Sequence, residues 1–156
     1  EALIAQVSPV LARRCEEAGA TFDVAVDHAC DAGASGPLSL LTDPDRVSQV
    51  LFNFVDNACK YAGDGPTVRL SVERTDARLV LAVEDSGPGV PDRMRARVFR
   101  AFDRGERGPG DAVRGLGLGL AISTELAVAL GGRLRCERSS MGGARFALEL
   151  PIVRAD

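Results

Sequence analysis

An aspartate placed directly before a proline, Asp43-Pro44, opens the segment that most constrains this chain. The carboxylate can cap a helix, and proline suits the first helical position because its missing N–H would have no partner there. From that start Val47, Val50, Leu51, Phe54, Val55 and Ala58 keep the i, i+3, i+4, i+7 rhythm of a buried face. The spacing predicts a helix from residue 44 to about Tyr61, ended by Gly63-Asp64-Gly65-Pro66. An apolar stripe that wide must be covered by a sheet or by other helices.

A second stripe runs along the border of the first. Asn53, Asn57, Lys60 and Tyr61 fall at i, i+4, i+7 and i+8, where they would line a cleft. Two asparagines one turn apart offer neutral oxygens that can ligate Mg2+ without adding negative charge beside phosphates. Lys60 adds a positive charge to the same place. Ordinary solvated residues on an amphipathic helix would give the same pattern, so this helix alone leaves both readings open. Phe52 points away from both stripes.

The other segments supply the cover. Residues 3 to 18 have helical spacing and stop at Gly19, and Thr21 to Val26 alternates like a strand. A Gly/Ala/Ser loop from Cys30 to Gly36 precedes a short strand from Leu38 to Leu41. Thr67 to Arg74 and Arg78 to Asp85 form a hairpin through Thr75-Asp76-Ala77. A short helical candidate lies around Asp92 to Phe99, and a longer helix spans about Gly117 to Leu130. Strands near Arg133 to Arg138 and Ala144 to Leu150 close the chain. The order predicts an α+β fold, a two-layer α/β sandwich whose mixed, mostly antiparallel sheet is covered on one face by three helices.

Two glycine clusters flank a long apolar-poor segment. In Asp85-Ser86-Gly87-Pro88-Gly89 the acid ends a strand, where it can accept a hydrogen bond from an exocyclic amine such as that of adenine. Gly87 and Gly89 would let a flat ring lie close to the backbone. Gly115-Leu116-Gly117-Leu118-Gly119-Leu120 opens a helix, and free N–H groups at such a start form an anion site suited to phosphates. It lacks the Lys-Ser/Thr of a P-loop and the preceding strand of a dinucleotide fingerprint. The stretch 86–115 between them, with Phe99-Arg100-Ala101-Phe102-Asp103-Arg104, reads as a lid over bound nucleotide. The first glycine motif alone also fits a plain strand-to-loop turn, and the second alone is a weak signal.

With 19 basic and 22 acidic residues the chain has a net charge of −3, and 46% of it is apolar. That composition fits one compact domain over residues 1–156 and offers no basic footprint for nucleic acid. No run approaches the roughly 20 apolar residues of a membrane span, so no direct membrane contact is expected. Cys15, Cys30, Cys59 and Cys136 form no C-x-x-C, and with one histidine, His28, they suggest reduced thiols rather than a zinc site. His28 runs into the Gly/Ala/Ser loop and is not expected to accept phosphate.

In this order the motifs resemble the catalytic ATP-binding domain of two-component sensor histidine kinases, in the GHKL or Bergerat-fold superfamily. Gln49 to Tyr61 resembles the N box, Asp85 to Gly89 the first glycine box, Phe99 to Arg104 the F box, and Gly115 to Leu120 the second glycine box. The resemblance implies that Asn57, assisted by Asn53, ligates Mg2+ and that Lys60 and Tyr61 contact ATP. With Asn53, Asn57 and Lys60 in the catalytic role, it further implies that Asp85, Gly87 and Gly89 hold adenine. Gly115, Gly117, Leu118 and Gly119 would hold the phosphates, and Arg104, with Arg100, would come from the lid. Ala101, Leu116 and Ala144 depart from the family's commoner proline, small hydroxyl residue, and threonine or serine.

ATPase and serine-kinase relatives usually carry a glutamate where this chain has Asn53, and an amide cannot act as a general base. The resemblance therefore implies γ-phosphate transfer to a histidine, which is nucleophilic when neutral, in the cytoplasm or in the cytoplasmic part of a membrane-bound sensor. Alternatives are a nucleotide-binding regulatory module without transfer, and an ATPase. No segment resembles the dimerisation and phospho-acceptor helices with their His-Glu/Asp motif, so self-phosphorylation is not expected. Those helices would be the direct partner and a response regulator an indirect one.

Overall fold

The structure, a computed structural model, describes residues 2–27, 42–75, 77–100 and 118–152. Helix α1 (Ala2–Glu17) buries Val7, Leu11 and Cys15 along one side. Pro9 lies inside it and removes one rung of the helical ladder, which the packing of that apolar side outweighs. The helix stops at Gly19, whose φ of 71° few other residues adopt. Helix α2 (Pro44–Tyr61) has the predicted cap, with the Asp43 carboxylate accepting from the N–H groups of Asp45 and Arg46. Val47, Val50, Leu51, Phe54, Val55 and Ala58 are all buried.

The strands are β1 (Thr21–Asp27), β2 (Thr67–Arg74), β3 (Arg78–Asp85), β4 (Arg133–Arg138) and β5 (Ala144–Pro151), in spatial order β1-β2-β3-β5-β4. β1 runs parallel to β2 and every other pair is antiparallel. Helices α1, α2 and α4 (Gly119–Ala129) cover one face. The core between the layers joins Leu11, Leu51 and Phe54 to Val68, Leu70, Leu81, Val83, Phe146 and Leu148. This is the expected α+β sandwich with a mixed sheet.

Strand alternation sends the intervening residues to the opposite face. There Arg145 pairs with Glu73, Glu84 and Glu137, while Glu149 takes Arg78, Arg133 and Arg135. The face away from the helices is thus a lattice of ion pairs.

The helical candidate at Asp92 to Phe99 is shorter than expected. Helix α3 covers Asp92–Arg95, and the chain then turns, with the Met94 carbonyl accepting from the N–H groups of Arg97 and Val98. The turn lets Val98 and Phe99 pack against the core, which a continued helix would not allow. The expected strand at 38–41, His28 and residues 101–117 lie outside the described residues. Among the described residues no helix is long and apolar enough to cross a membrane.

Candidate functional site

The polar stripe of α2 meets the start of α4. Asn53 Nδ2 donates to the carbonyl oxygen of Gly119 (3.1 Å) and to Ser123 Oγ (2.9 Å). Ser123, fully buried, donates in turn to the Gly119 carbonyl at 2.8 Å. With its nitrogen used twice, the Asn53 amide has its orientation set, and among the described residues its oxygen has no hydrogen-bond partner. Asn57, one turn further on, is half-buried, and among the described residues its side chain has no hydrogen-bond partner.

Lys60 lies in an ion pair with Asp56, the residue one turn before it on α2. The Asp56 carboxylate is also gripped by Arg14 of α1, through Nε at 3.0 Å and Nη2 at 2.9 Å. The ammonium that the sequence assigns to phosphates therefore rests on an acid that α1 holds in place. Tyr61 closes the helix as its last residue.

At the end of β3, Asp85 is 6% exposed and its Oδ1 accepts from the Gly87 N–H (2.9 Å) and the Ala144 N–H (3.2 Å). Burial pushes its carboxyl above the usual carboxylate range, and those two N–H groups pull against the shift. Gly89 has a φ of 76°, a conformation that disfavours a side chain. Gly87 is required for another reason: a Cβ there would fall 2.4 Å from the Cα of Ala62 at the end of α2. The loop after Asp85 is thereby seated against the same end of the helix that carries Asn57, Lys60 and Tyr61.

The first residue of the F box is seated too. The Phe99 ring meets Phe146 edge-on at 6.2 Å, and Phe146 in turn packs on Phe54 of α2 at 5.7 Å. Leu118 precedes α4, and its carbonyl accepts from the Ile122 N–H at 2.9 Å. Arg104, Gly115 and Gly117 lie outside the described residues, while Arg100 is at the exposed end of the described stretch.

Three supporting residues escape a reading of the sequence. Ser123 opens a polar run, Ser123-Thr124-Glu125, on a mostly apolar helix, which is a faint signal. Gly143 is packed against Asp85, and the Gly142-Gly143 pair before a strand hints at a close approach. Arg14 on α1 has no sequence signal for its hold on Asp56.

Residues 42–154 match the family described as histidine kinase-, DNA gyrase B-, and HSP90-like ATPase. The chain is similar to the sensor protein kinase CarS of Pseudomonas aeruginosa, 40% identical over 119 residues that cover 76% of this chain and 25% of that protein. It is also similar to the signal transduction histidine-protein kinase AfsQ2 of Streptomyces coelicolor, 38% identical over 88% of this chain and 24% of that protein. The chain thus spans about a quarter of the length of these curated relatives. Among solved structures, the mycobacterial sensor histidine kinase MprB superposes with a TM-score of 0.74 at 27% identity, over 96% of this chain and 93% of that one. Full-length ShkA, solved in complex with AMPPNP, gives a TM-score of 0.76 at 34% identity, over 99% of this chain and 30% of that one.

Proposed function

The chain belongs to the histidine kinase-, DNA gyrase B-, and HSP90-like ATPase family, and from that premise we propose that it binds Mg2+-ATP and donates the γ-phosphate to a histidine on a partner segment. The cleft lies between α2, the end of β3 and the start of α4. The observation that carries this reading is the fixed Asn53 amide beside Asn57: among the described residues neither the Asn53 oxygen nor the Asn57 side chain has a hydrogen-bond partner.

Those two neutral oxygens fit a hard divalent cation, which prefers oxygen ligands, and among the described residues no cluster of acids competes for it. Mg2+ held by Asn57 and Asn53 would neutralise phosphate charge. Asp85 would accept from the adenine amino group through its remaining oxygen, a contact that guanine, with a carbonyl at that position, cannot make. Lys60, once it leaves Asp56, would meet the phosphates. Gly87 and Gly89 shape the adenine end, and Gly115, Gly117, Leu118 and Gly119 would present N–H groups at the phosphate end. Arg104 and Tyr61 would complete the nucleotide contacts.

No acid stands where a water-activating base would be needed, so the chain's contribution is orientation and charge stabilisation. The acceptor would be a neutral imidazole on dimerisation and phospho-acceptor helices, with a response regulator receiving the phosphoryl group afterwards in the cytoplasm.

Calorimetric titration with ADP, ATP and GTP, with and without Mg2+, tests the cleft. Adenine-selective, Mg2+-enhanced binding is expected, and Asn57→Ala should abolish the Mg2+ enhancement. Transfer is tested by adding a phospho-acceptor fragment and following phosphohistidine. ATP binding without any transfer would reduce the chain to a nucleotide-binding module.

A further inference from the structure

The seam between α1 and α2 holds two thiols that the nucleotide reading does not use. Cys15, in the last turn of α1, is fully buried, and Cys59, in the last turn of α2, is half-buried. Their sulfurs lie 3.9 Å apart, and Cys59 Sγ is also 4.0 Å from the Arg14 carbonyl oxygen. The seam is fastened on the same side by Arg14 and Asp56. Two cysteines on neighbouring packed helices, sulfur facing sulfur, need little motion to join, since a disulfide closes at about 2.05 Å.

We propose that Cys15 and Cys59 form a reversible disulfide when the protein meets hydrogen peroxide, making the α1–α2 seam an oxidation site. Cys59 is the thiol that the oxidant can reach. Its sulfur attacks one peroxide oxygen, the O–O bond breaks, and the products are Cys59 sulfenic acid and one water. Cys15 sulfur then attacks Cys59 sulfur, the S–O bond breaks, and a second water leaves with the Cys15 proton. Each sulfur gives up one electron, and the peroxide takes both. A dithiol reductant reverses the change.

The bond would act on the cleft through the last turn of α2. At about 100° per residue, Cys59 and Asn57 point roughly 160° apart around the helix axis. Drawing α2 toward α1 along the Cys59 direction therefore withdraws Asn57 from the cleft. This consequence rests on the nucleotide reading above, whereas the oxidation site does not.

The test treats the 156-residue chain with peroxide and reads two quantities. The first is intact mass and a peptide map. The expected result is a loss of two hydrogens and a Cys15–Cys59 cross-linked peptide, both reversed by dithiothreitol and absent from Cys15→Ser and Cys59→Ser. If both thiols stay free, or if Cys59 pairs with Cys30 or Cys136 instead, the proposal is overturned. The wild-type map decides this even should a serine variant fold poorly. The second quantity is Mg2+-ADP affinity before and after oxidation, expected to fall at least roughly fivefold, the lower end of coupling between two sites. An unchanged affinity in a protein shown to carry the disulfide would sink the coupling. Failure of the reduced protein to bind nucleotide would count against the nucleotide reading, while the peptide map would still decide whether the disulfide forms.

Discussion

Gly143 presses against Asp85: a Cβ built on this glycine would fall 2.0 Å from the carboxylate Oδ1 and 2.3 Å from the carbonyl oxygen. Neither is the loose end of a flexible chain, because Oδ1 is held by two backbone N–H groups. Gly143→Ala should therefore push Asp85 out of place and cost about 2 kcal/mol or more, as overpacking of a tight site does. Thermal unfolding with calorimetric ADP titration checks it. A variant with wild-type stability and affinity would show that the turn gives way easily.

Asp85→Asn separates stability from binding. Because burial raises the Asp85 carboxyl, the folded protein holds a proton at pH values where the unfolded chain has lost it. Its contribution is fully present below the unfolded value, is lost as pH rises through the raised one, and is flat above. The asparagine keeps an oxygen for Gly87 and Ala144 but has no charge to desolvate. We expect equal or higher stability at neutral pH, less decline across the carboxylate range, and ATP affinity at least about tenfold weaker, since an amide N–H would face the adenine amino group. Retained preference for ATP over GTP would rule out Asp85 as the adenine acceptor.

Ser123→Ala tests the support beneath Asn53. Removing the hydroxyl leaves the Asn53 amide one acceptor in place of two, a loss of about 1 kcal/mol for a fully buried group. Urea unfolding should show that loss, and Mg2+-dependent ADP binding should weaken while Mg2+-independent binding changes little. Equal weakening of both would mean a general packing defect.

Asp56→Asn should release Lys60. With its ion-pair partner neutral, the ammonium is available to phosphates, so ADP affinity should rise a few-fold at low salt and the gain should shrink as salt is added. Arg14 loses a charged partner as well, which should cost some stability. Unchanged affinity at every salt concentration would indicate that the Asp56 pair does not compete with nucleotide.

Glu149 has the opposite sign from Asp85. Burial raises its carboxyl, but Arg133 and Arg135 outweigh burial and hold it below the usual range. Its stabilisation is present above the unfolded value and is lost as pH falls through the depressed one. Glu149→Gln should flatten the acid side of the stability curve and cost about 1 kcal/mol at neutral pH, a modest figure because the arginines are half exposed. An acid limb as steep as wild type would assign acid sensitivity to other carboxylates.

Much of the fold was legible because its signals are local. The Asp43 cap and the rhythm from Val47 to Ala58 gave α2 its observed bounds, and the alternation in 67–74 and 78–85 gave the hairpin. The Asn53 and Asn57 stripe was visible for the same reason. What sets those groups in place was not visible, because it crosses the chain. Asn53 reaches Ser123 over 70 positions, Ala144 reaches Asp85 over 59, and Arg14 reaches Asp56 over 42. Such pairs exist only once the layers have packed. Phe99 shows the same competition, with its contact on Phe146 overriding a helical pattern that would have run through it.

The hydrogen bond from Asn53 to Gly119 and the seating of Gly87 on Ala62 fasten the chain at two points with more than thirty residues between them. A tether fastened at both ends pays for length only logarithmically, about 0.6 kcal/mol per doubling. Within that interval Val90, Val98 and Phe99 are themselves packed against the core, so a reporter peptide or an affinity tag spliced there has to spare them. Survival of the two fastenings and of these core contacts, rather than the length of the graft, would decide whether such a chimera still folds.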